Sequence, residues 1–424
     1  MSKIQIPRGT QDVMPGVVEL WQYVEEKARD LCRRFNYQEI RTPIFEQTEL
    51  FQRGVGETTD IVEKEMYSVE SRGEDQLTLR PEGTAGVVRS YVEKKLYGSP
   101  NQPTKLYYIG PMFRHERPQA GRYRQFTQFG VEAIGSSDPA IDAEVIAVAI
   151  RLYQELGLQG LSVELNSVGT LEDRARHRGH LLEVLNGVRD ELCPDCKSRI
   201  DRNPLRVLDC KVEKCRTLTK DAPSILEHLS DESTAHFEAV QNYLTLIGIP
   251  FTINPRMVRG LDYYTQTAFE IKMAEIGAVE TLCGGGRYNG LVAEIGGEDM
   301  PGIGFALSIE RLLLALEKQG IQLPVEQKQD CYVVVQSPEA KGTAFKLVDK
   351  LRQGGISAEM DYLNRKMKAQ LKAADRLAAR FTVIIGEEEL QKGTVIVKEM
   401  ATGDQVEVAQ EALVEELLNK LSHS

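Results

Sequence analysis

Charged and aromatic side chains recur on two strand-like runs, TKLYYIGPMFRH and RQFTQFGVEAI, joined by a basic connector that contains glycine and proline. Residues two apart in a strand share a face. The polar and aromatic residues that fall on such shared faces are Arg114 and Glu116 on the first run, and Phe126, Gln128 and Glu132 on the second. Any one of them could belong to a solvated sheet face. The whole group is costly to bury unless a ligand pairs it, so the hairpin predicts a binding site.

Three glycine-containing segments follow later in the chain: RGLDYYT at 259–265, LCGGGRYNGL at 282–291 and PGIGFALSIER at 301–311. Consecutive glycines let the backbone approach a ligand closely, although turns and strands alone could account for each segment. The glycine run has neither the Lys-Ser/Thr of a P-loop nor the spacing of a dinucleotide fingerprint. The segments therefore indicate a ligand site of another kind.

The amino-acid sequences of these segments resemble the signature motifs of one family. FRHERPQAGRYRQFTQFGVE resembles the second signature motif of class II aminoacyl-tRNA synthetases, GFALSIER resembles the third, and RTPIFE, with Pro43, resembles the first, which builds the dimer interface. RGLDYYT and GGGRYNGL are similar to two further signatures of histidyl-tRNA synthetases, and the opening PRGTQDVMPG fits the same pattern. The resemblance covers essentially the whole chain. It implies a homodimer that activates L-histidine with ATP and transfers it to tRNA(His).

The resemblance also implies which residues bind ATP. Arg114 would hold the α-phosphate, and Arg311 would bracket the nucleotide. Glu116 and Phe126 would embrace the adenine, and Arg259 matches the catalytic arginine of the family. Arginine suits both tasks because its planar fork grips phosphate and carboxylate and stays charged. Mg²⁺ bound with ATP would screen the leaving pyrophosphate.

The histidine site is implied by residues from four segments. They are Glu82, Gly83, Thr84 and Gln128 around the α-amino group, and Glu132, Tyr263 and Tyr264 around the imidazole. A neutral imidazole has one N–H donor and one acceptor nitrogen. Glu132 can accept from the first and the Tyr264 hydroxyl can donate to the second, so the pair predicts selectivity for histidine.

Composition limits the class of protein. The chain has 424 residues, 42% hydrophobic and 27% charged, which suggests two or three globular domains. Its formal net charge of −11 means that nucleic-acid binding must use a local basic patch. The hairpin connector offers Arg117, Arg122 and Arg124, which we expect to hold the acceptor end of tRNA.

The sequence predicts a cytoplasmic protein with no membrane segment. No apolar run is long enough to span a bilayer, and the N-terminus has no apolar signal region. The seven cysteines are odd in number, and Cys32 and Cys283 stand alone in core-like patterns. Both features favour a reducing compartment.

The order of elements predicts an α+β fold. We expect an antiparallel-sheet catalytic domain of the class II type over residues 1–325, interrupted by a helical insertion at about 170–250. A polar linker is predicted at 318–329. A C-terminal α/β domain over 328–424, ending in a helix at 407–421, would bind the anticodon region.

Four cysteines lie in the predicted insertion. Cys193, Cys196, Cys210 and Cys215 form C-x2-C-x13-C-x4-C, which resembles a zinc knuckle. Four free thiols in a variable insertion are the other interpretation. The resemblance implies no metal ligand, so the sequence assigns none.

Two other functions remain open at this point. A non-catalytic regulatory relative, which partners a histidine-biosynthetic transferase, would usually lack the anticodon domain and keep degraded motifs. A synthetase for glycine, proline or threonine could share the C-terminal domain. RGLDYYT, together with Glu132, argues against the second, and the intact motifs argue against the first.

Overall fold

A computed structural model describes residues 3–57, 59–273, 280–325 and 329–422 and divides the chain into two units, Met1–Leu323 and Pro324–Ser424. Residues 326–328 of the predicted linker lie outside the described residues, as do 328, 423 and 424 of the predicted C-terminal domain. None of the helices in the described part combines the length and the apolar character needed to cross a bilayer.

Two sheets form the frame of the first unit. Its strands are β1 Gln38–Glu39, β2 Phe45–Gln47, β3 Tyr67–Val69, β4 Leu77–Leu79, β5 Thr104–Phe113, β6 Gln125–Ile134, β7 Leu161–Ser167, β8 Phe251–Ile253, β9 Thr265–Met273, β10 Thr281–Arg287 and β11 Gly302–Ser308. Within the described residues, the larger sheet has the order β1-β5-β6-β11-β10-β9-β7-β8, and the smaller has the order β2-β4-β3. The central pairs are antiparallel, whereas β1 with β5 and β7 with β8 are parallel.

The helices of the first unit are α1 Val18–Arg34, α2 Thr48–Val55, α3 Thr84–Glu93, α4 Pro139–Glu155, α5 Leu171–Gly187, α6 Pro194–Arg202, α7 Glu213–Leu218, α8 Asp231–Leu246, α9 Leu291–Glu294 and α10 Ile309–Lys318. Shorter helical turns occur at Ile61–Glu65, Leu96–Gly98, Arg189–Glu191, Pro204–Val207 and Ile225–His228. On α1, Val24, Ala28 and Leu31 are buried at the three- and four-residue spacing of one helix face, as the sequence pattern predicts. That face belongs to the same core as α4 and the large sheet.

A buried ion pair ties the large sheet to α4. Arg287, at the end of β10, and Asp142, on α4, are both fully buried, and Arg287 Nε donates to Asp142 Oδ2 at 3.0 Å. The rest of the guanidinium donates to the carbonyl oxygens of Ser136 and Asp138. Buried charges are tolerated only when they are paired and hydrogen-bonded in this way. The pair therefore sets where β10, the glycine-rich strand, lies against the helical layer.

The helical segment between β7 and β8 has two parts. Helices α5 to α7 enclose a small core of their own, to which Leu181, Ile200 and the cysteines contribute. Helix α8 instead places Phe237, Val240 and Leu244 in the main core. The predicted insertion at about 170–250 thus contains one helix that is part of the main core.

The second unit is an α/β layer around a five-stranded sheet of the described residues, in the order β13-β12-β14-β15-β16. Its elements are β12 Cys331–Val335, α11 Lys341–Gln353, β13 Ala358–Met360, α12 Met367–Arg376, β14 Phe381–Ile385, α13 Glu387–Lys392, β15 Thr394–Glu399, β16 Gln405–Ala409 and α14 Leu413–Ser422, with a short turn at Pro338–Ala340. Strand β12 runs parallel to β13 and β14, and β14, β15 and β16 are antiparallel.

The predicted final helix at 407–421 is wrong at its start. Residues Gln405–Ala409 form β16, which pairs with β15, and the helix begins only at Leu413. The sequence TGD before the strand forms part of the connection of a hairpin, and the alternation of Val406 and Val408 fits a strand better than a helix. Helix α13 was not predicted. The α+β class itself is confirmed.

Candidate active site

A pocket with an empty volume of about 870 Å³ lies over the middle of the large sheet. The residues that the sequence singled out and that line it are Glu82, Thr84, Arg114, Glu116, Phe126, Gln128, Arg259, Tyr263, Tyr264 and Arg311. Gly83 and Glu132 are not among the lining residues. The hairpin and the three glycine-containing segments, which are far apart in sequence, therefore meet in one place.

Glu132 lies directly beneath the pocket wall. Its side chain is fully buried, and its two carboxylate oxygens accept hydrogen bonds from Thr84 Oγ1 and Tyr288 Oη, both at 2.7 Å. Burial raises the pKa of Glu132 to about 8, against the lowering effect of these two hydrogen bonds. A Cβ at Gly304 would lie 2.0 Å from Glu132 Oε2, so only glycine leaves room for the carboxylate at this point of β11.

Glu82 and Gln128 add acceptor atoms at the same end of the pocket. Glu82 accepts from the backbone N–H groups of Thr84 and Ala85, at 2.8 and 2.7 Å, and so caps the start of α3. Burial raises the pKa of this carboxyl as well. The Oε1 atom of Gln128 is buried and has no hydrogen-bond partner among the described residues. A buried acceptor without a partner is costly, and a donor from a ligand would relieve that cost.

Arg259 lies across the glycine run of β10. A Cβ at Gly284 would come within 2.1 Å of its guanidinium, so the first glycine of the run makes the space that this arginine occupies. Its Nη1 forms a salt bridge with Glu270, the residue opposite Gly284 on β9. Its Nε is buried and has no hydrogen-bond partner within the described part of the chain, and the guanidinium carbon lies 5.6 Å from the ring centroid of Tyr264. Arg259 is thus held in place while one donor remains unsatisfied.

Two further arginines of the pocket, Arg114 and Arg122, share the carboxylate of Glu116, with Glu65 also near both of them. Glu116 lies 3.7 Å from Arg114 Nη1 and 3.5 Å from Arg122 Nη1. Arg114 also donates from Nε to the carbonyl of Pro81 at 2.8 Å and lies 5.3 Å above the ring centroid of Phe126. The charge of this pair of arginines is therefore only partly neutralised.

Arg311 adds a further positive charge to the part of the pocket that contains Arg114 and Arg122. Among the described residues no carboxylate forms an ion pair with it, and its Nη1 donates to the carbonyl of Thr281 at 3.0 Å. Burial, and then the nearby Arg122 and Arg114, lower the pKa of Arg311 to about 10. A desolvated cluster of arginines is a site for a polyanion such as a nucleotide phosphate chain.

The pocket has two chemically different ends, and Arg259 offers a hydrogen-bond donor that neither end has satisfied. One end offers carboxylate and amide acceptors together with tyrosine hydroxyls, and the other offers arginines. A ligand pair with an ammonium at one end and phosphates at the other matches this arrangement. The unsatisfied donor of Arg259 can then serve an anion that lies between the two.

The structure adds three residues whose roles in the pocket the sequence reading did not assign. They are Tyr288, which donates to Glu132, Glu270, which pairs with Arg259, and Arg122, which turns into the pocket. Tyr288 lies two residues after the glycine run, within the GGGRYNGL segment, and this position was the only sequence signal for it. Glu270 requires the pairing register of β9 with β10, which local patterns do not contain.

The three connector arginines have different surroundings in the structure. Arg124 is held against the N-terminal segment, since its backbone N–H donates to the carbonyl of Gly9 at 2.7 Å. Arg122 lines the pocket and Arg117 is exposed. Because the side chain of Arg122 is also 37% exposed, the expected contact of these arginines with the acceptor end of tRNA stays a prediction.

Comparisons with known proteins agree with the motifs. The chain matches the model of the histidyl-tRNA synthetase family over residues 9–312 and that of an anticodon binding domain over residues 330–420. A histidine–tRNA ligase of Geobacillus sp. (strain WCH70) is 62% identical over 420 residues, which are 99% of both chains. One from Bacillus cytotoxicus is 60% identical over 421 residues, again 99% of both.

The fold has a close counterpart among solved structures. The apo histidyl-tRNA synthetase of S. aureus superimposes with a TM-score of 0.84 at 48% sequence identity and covers 98% of this chain and 100% of its own. The agreement extends over both units.

The raised pKa of Glu132 predicts a pH dependence. In the folded chain the carboxyl keeps its proton up to about pH 8, whereas an unfolded glutamate loses it at about 4.3. The protonated carboxyl of Glu132 therefore adds its full contribution to the free energy of unfolding below about pH 4. This stabilisation is lost as the pH rises through about 8. In Glu132→Gln the free energy of unfolding should lack this part of its dependence on pH.

The measurement is the thermal midpoint of the ligand-free protein at several pH values between about 5 and 9, with infrared difference spectra that follow the protonated carboxyl band. Wild type should lose the band as the pH rises, and Glu132→Gln should lack this component. Glu93→Gln, at an exposed carboxylate, is the matched control and should keep it. Identical pH profiles for wild type and Glu132→Gln would contradict the assignment.

Proposed function

This chain belongs to the histidyl-tRNA synthetase family and is a histidine–tRNA ligase, and we propose that the pocket over the large sheet performs both steps of that reaction. In the first step the carboxylate of L-histidine attacks the α-phosphorus of ATP and expels pyrophosphate. In the second, a hydroxyl of the terminal ribose of tRNA(His) attacks the histidyl-adenylate and releases AMP. The observation that carries the proposal is the meeting of an acceptor-rich end and an arginine-rich end in one pocket.

Histidine binds at the acceptor end in this proposal. Its ammonium is received by Glu82 and by the unpartnered Oε1 of Gln128, near Thr84. A Cβ at Gly83 would lie 2.2 Å from the ring of Tyr108, so Gly83 contributes space beside these acceptors rather than a side-chain contact.

The imidazole is read by Glu132 and Tyr264, with Tyr263 packed beside Tyr264 at a ring-centroid distance of 4.8 Å. Each oxygen of Glu132 accepts one hydrogen bond from the protein and can accept another. An N–H donor from the imidazole favours the carboxylate form of Glu132, in opposition to its burial. A site built on such paired hydrogen bonds rejects analogues that lack them by roughly four to five orders of magnitude.

ATP binds at the arginine end. Arg114 holds the α-phosphate, Arg311 brackets the nucleotide, and Glu116 and Phe126 contact the adenine. Support comes from the cluster itself, in which Arg114 and Arg311 lack full neutralisation by carboxylates of the described residues.

Mg²⁺ arrives with ATP in this proposal. The nearby carboxylates already have partners: Glu116 pairs with two arginines, and Glu310 accepts from the Thr127 N–H and the Ser308 hydroxyl, both at 2.7 Å. Of these carboxylates, any that took part in holding the ion would have to exchange a partner, and phosphate oxygens and water would supply its other ligands. The ion supplies charge neutralisation of the leaving pyrophosphate.

Arg259 acts on the attack itself. The histidine carboxylate and the α-phosphate are both anions, and their approach concentrates negative charge. The open Nε of Arg259 and its position over Gly284 support a role in bridging the two groups. Glu270 holds the guanidinium in the ligand-free protein, and Thr281 and Lys272 offer that carboxylate other partners, at 3.0 and 3.6 Å.

The remaining partners follow from the family. The anticodon binding unit supports contact with the anticodon region of tRNA(His). Homodimer formation through the Pro43 segment is supported by the neighbouring Ile44 and Phe45, which are 44% and 53% exposed. A cytoplasmic location is supported by the cysteines, which are free thiols in the structure.

The proposal is tested by pyrophosphate exchange into ATP with each amino acid in turn. Histidine alone should support rapid exchange, because only an imidazole satisfies both Glu132 and Tyr264. A regulatory protein without ligase activity would show exchange with no amino acid. Exchange with glycine, proline or threonine in place of histidine would overturn the assignment of the substrate.

Arg259→His should slow adenylate formation by about two to three orders of magnitude, as the loss of one preorganised transition-state contact typically does. Binding of ATP and histidine should change far less, since the ground-state contacts of Arg114, Arg311 and Gln128 remain. Transfer from preformed adenylate to tRNA should also suffer less, because that step no longer joins two anions.

Single-turnover kinetics of each half-reaction measure the difference, with Arg151→His, on the outer part of α4, as the control. Equal slowing of both half-reactions, or a change in KM alone, would make Arg259 a binding residue.

A chain that ends at Leu323 should still exchange pyrophosphate with histidine but should charge tRNA(His) poorly. The residues proposed for ATP and histidine lie in the first unit, and each unit has its own hydrophobic core. Exchange and aminoacylation rates are compared with those of the full chain, after circular dichroism has shown that the shortened protein is folded. A folded but exchange-inactive fragment would refute this division of labour.

A further inference from the structure

Four cysteine side chains converge on one point in the helical insertion. Cys193 precedes the first turn of α6 and Cys196 lies within that turn, while Cys210 comes from the loop before α7 and Cys215 from α7 itself. All four sulfur atoms lie within 4.8 Å of one another, and the Sγ atoms of Cys193 and Cys210 are 3.9 Å apart. The other cysteines, Cys32, Cys283 and Cys331, are buried outside this group.

These distances match a tetrahedral metal site. Zinc–thiolate bonds of about 2.3 Å place the sulfur atoms of a tetrahedron about 3.8 Å apart. A disulfide would bring two of the sulfur atoms to about 2.05 Å, which does not occur here. Ordinary core packing does not require four sulfur atoms from two separate segments to share one centre.

The surroundings suit four thiolates. The backbone N–H of Cys193 donates to Cys215 Sγ at 3.3 Å, a contact that stabilises negative charge on sulfur. Basic residues adjoin the cysteines in sequence, among them Lys197, Lys211, Lys214 and Arg216. Acidic residues adjoin them as well, at Asp195, Asp209 and Glu213, so the backbone N–H contact to sulfur is the observation here that favours thiolates.

We propose that Cys193, Cys196, Cys210 and Cys215 bind one structural zinc ion that holds the insertion together. On binding, Zn²⁺ replaces the four thiol protons with four zinc–sulfur bonds, and the protons go to solvent. No position is left for water or substrate, so the site is structural rather than catalytic. The enclosed core of α5 to α7 is small, and metal binding supplies the free energy that such a core lacks.

The site also supports the segment that carries Arg259. Arg256 donates to the carbonyl oxygens of Leu208 and Thr219, at 3.3 and 2.6 Å, and these residues flank the second pair of cysteines. Asn203, after α6, donates to Asp262 at 3.0 Å. The insertion therefore contacts the segment on both sides of Arg259, and the zinc ion fixes the backbone that makes these contacts.

The test is the metal content of the untagged full chain, purified in reductant without chelator. We expect about one zinc ion per chain, bound by four sulfur ligands. Cys210→Ser should lower this to below a tenth of an equivalent, and Cys331→Ala, at a buried cysteine of the other unit, should leave it unchanged. Replacement by Co²⁺ should give the intense visible absorption of a tetrahedral cobalt–thiolate centre.

A second measurement does not depend on the folding of a variant. In the wild-type protein, a strong chelator should release zinc together with four newly reactive thiols and should increase amide hydrogen exchange over residues 193–219. Less than about a tenth of an equivalent of zinc, with four thiols reactive from the outset, would overturn the proposal. Zinc retained in full by Cys210→Ser would overturn the ligand assignment.

Discussion

Burial of the Glu132 carboxylate is the constraint on which one end of the pocket depends. A fully buried acid must find hydrogen-bond donors, and here they come from the start of α3 and from the turn after β10. The acid also excludes any side chain at Gly304 on the neighbouring strand. One buried carboxyl group thereby restricts the residue types at Thr84, Tyr288 and Gly304. This restriction explains why these separate segments have such specific sequences.

The cost of burying a charge without hydrogen-bond partners also determines the structure at Arg287, the last residue of the glycine-rich strand β10. Arg287 is fully buried and finds Asp142 on α4, with carbonyl oxygens completing its hydrogen bonds. Because this pair fixes the end of β10, it also fixes Gly284 and the space in which Arg259 lies. The Arg287–Asp142 pair thus positions the pocket from beneath without reaching a ligand, and the rigidity of this region follows from the cost of leaving the pair incomplete.

Much of this could be predicted from local pattern, and the exceptions have a common cause. Alternation along β6 correctly predicted that Phe126 and Gln128 face one pocket, because strand geometry decides which residues share a face; Arg114 and Glu116 also line it, although β5 ends before them at Phe113. Glu270 and Tyr288 were not predicted to act in the pocket, since each depends on strand register and on a partner distant in sequence. Strand β16 was wrongly predicted as helix for a related reason. It is short, and only its pairing with β15 distinguishes it from the helix that follows.

The distribution of charge explains how an acidic chain can hold a polyanion. The formal charge of the whole chain is −11, whereas the pocket gathers Arg114, Arg122 and Arg311 near the carboxylate of Glu116. Burial makes that cluster costly without a ligand, as the lowered pKa of Arg311 indicates. Arg259 is treated differently, because Glu270 neutralises it before substrates arrive. The arginines proposed to bind ATP are thus only partly paired in the ligand-free protein. The arginine proposed for the chemical step is instead held in position by a partner on the adjacent strand, and its remaining donor becomes useful only when two anions meet beside it.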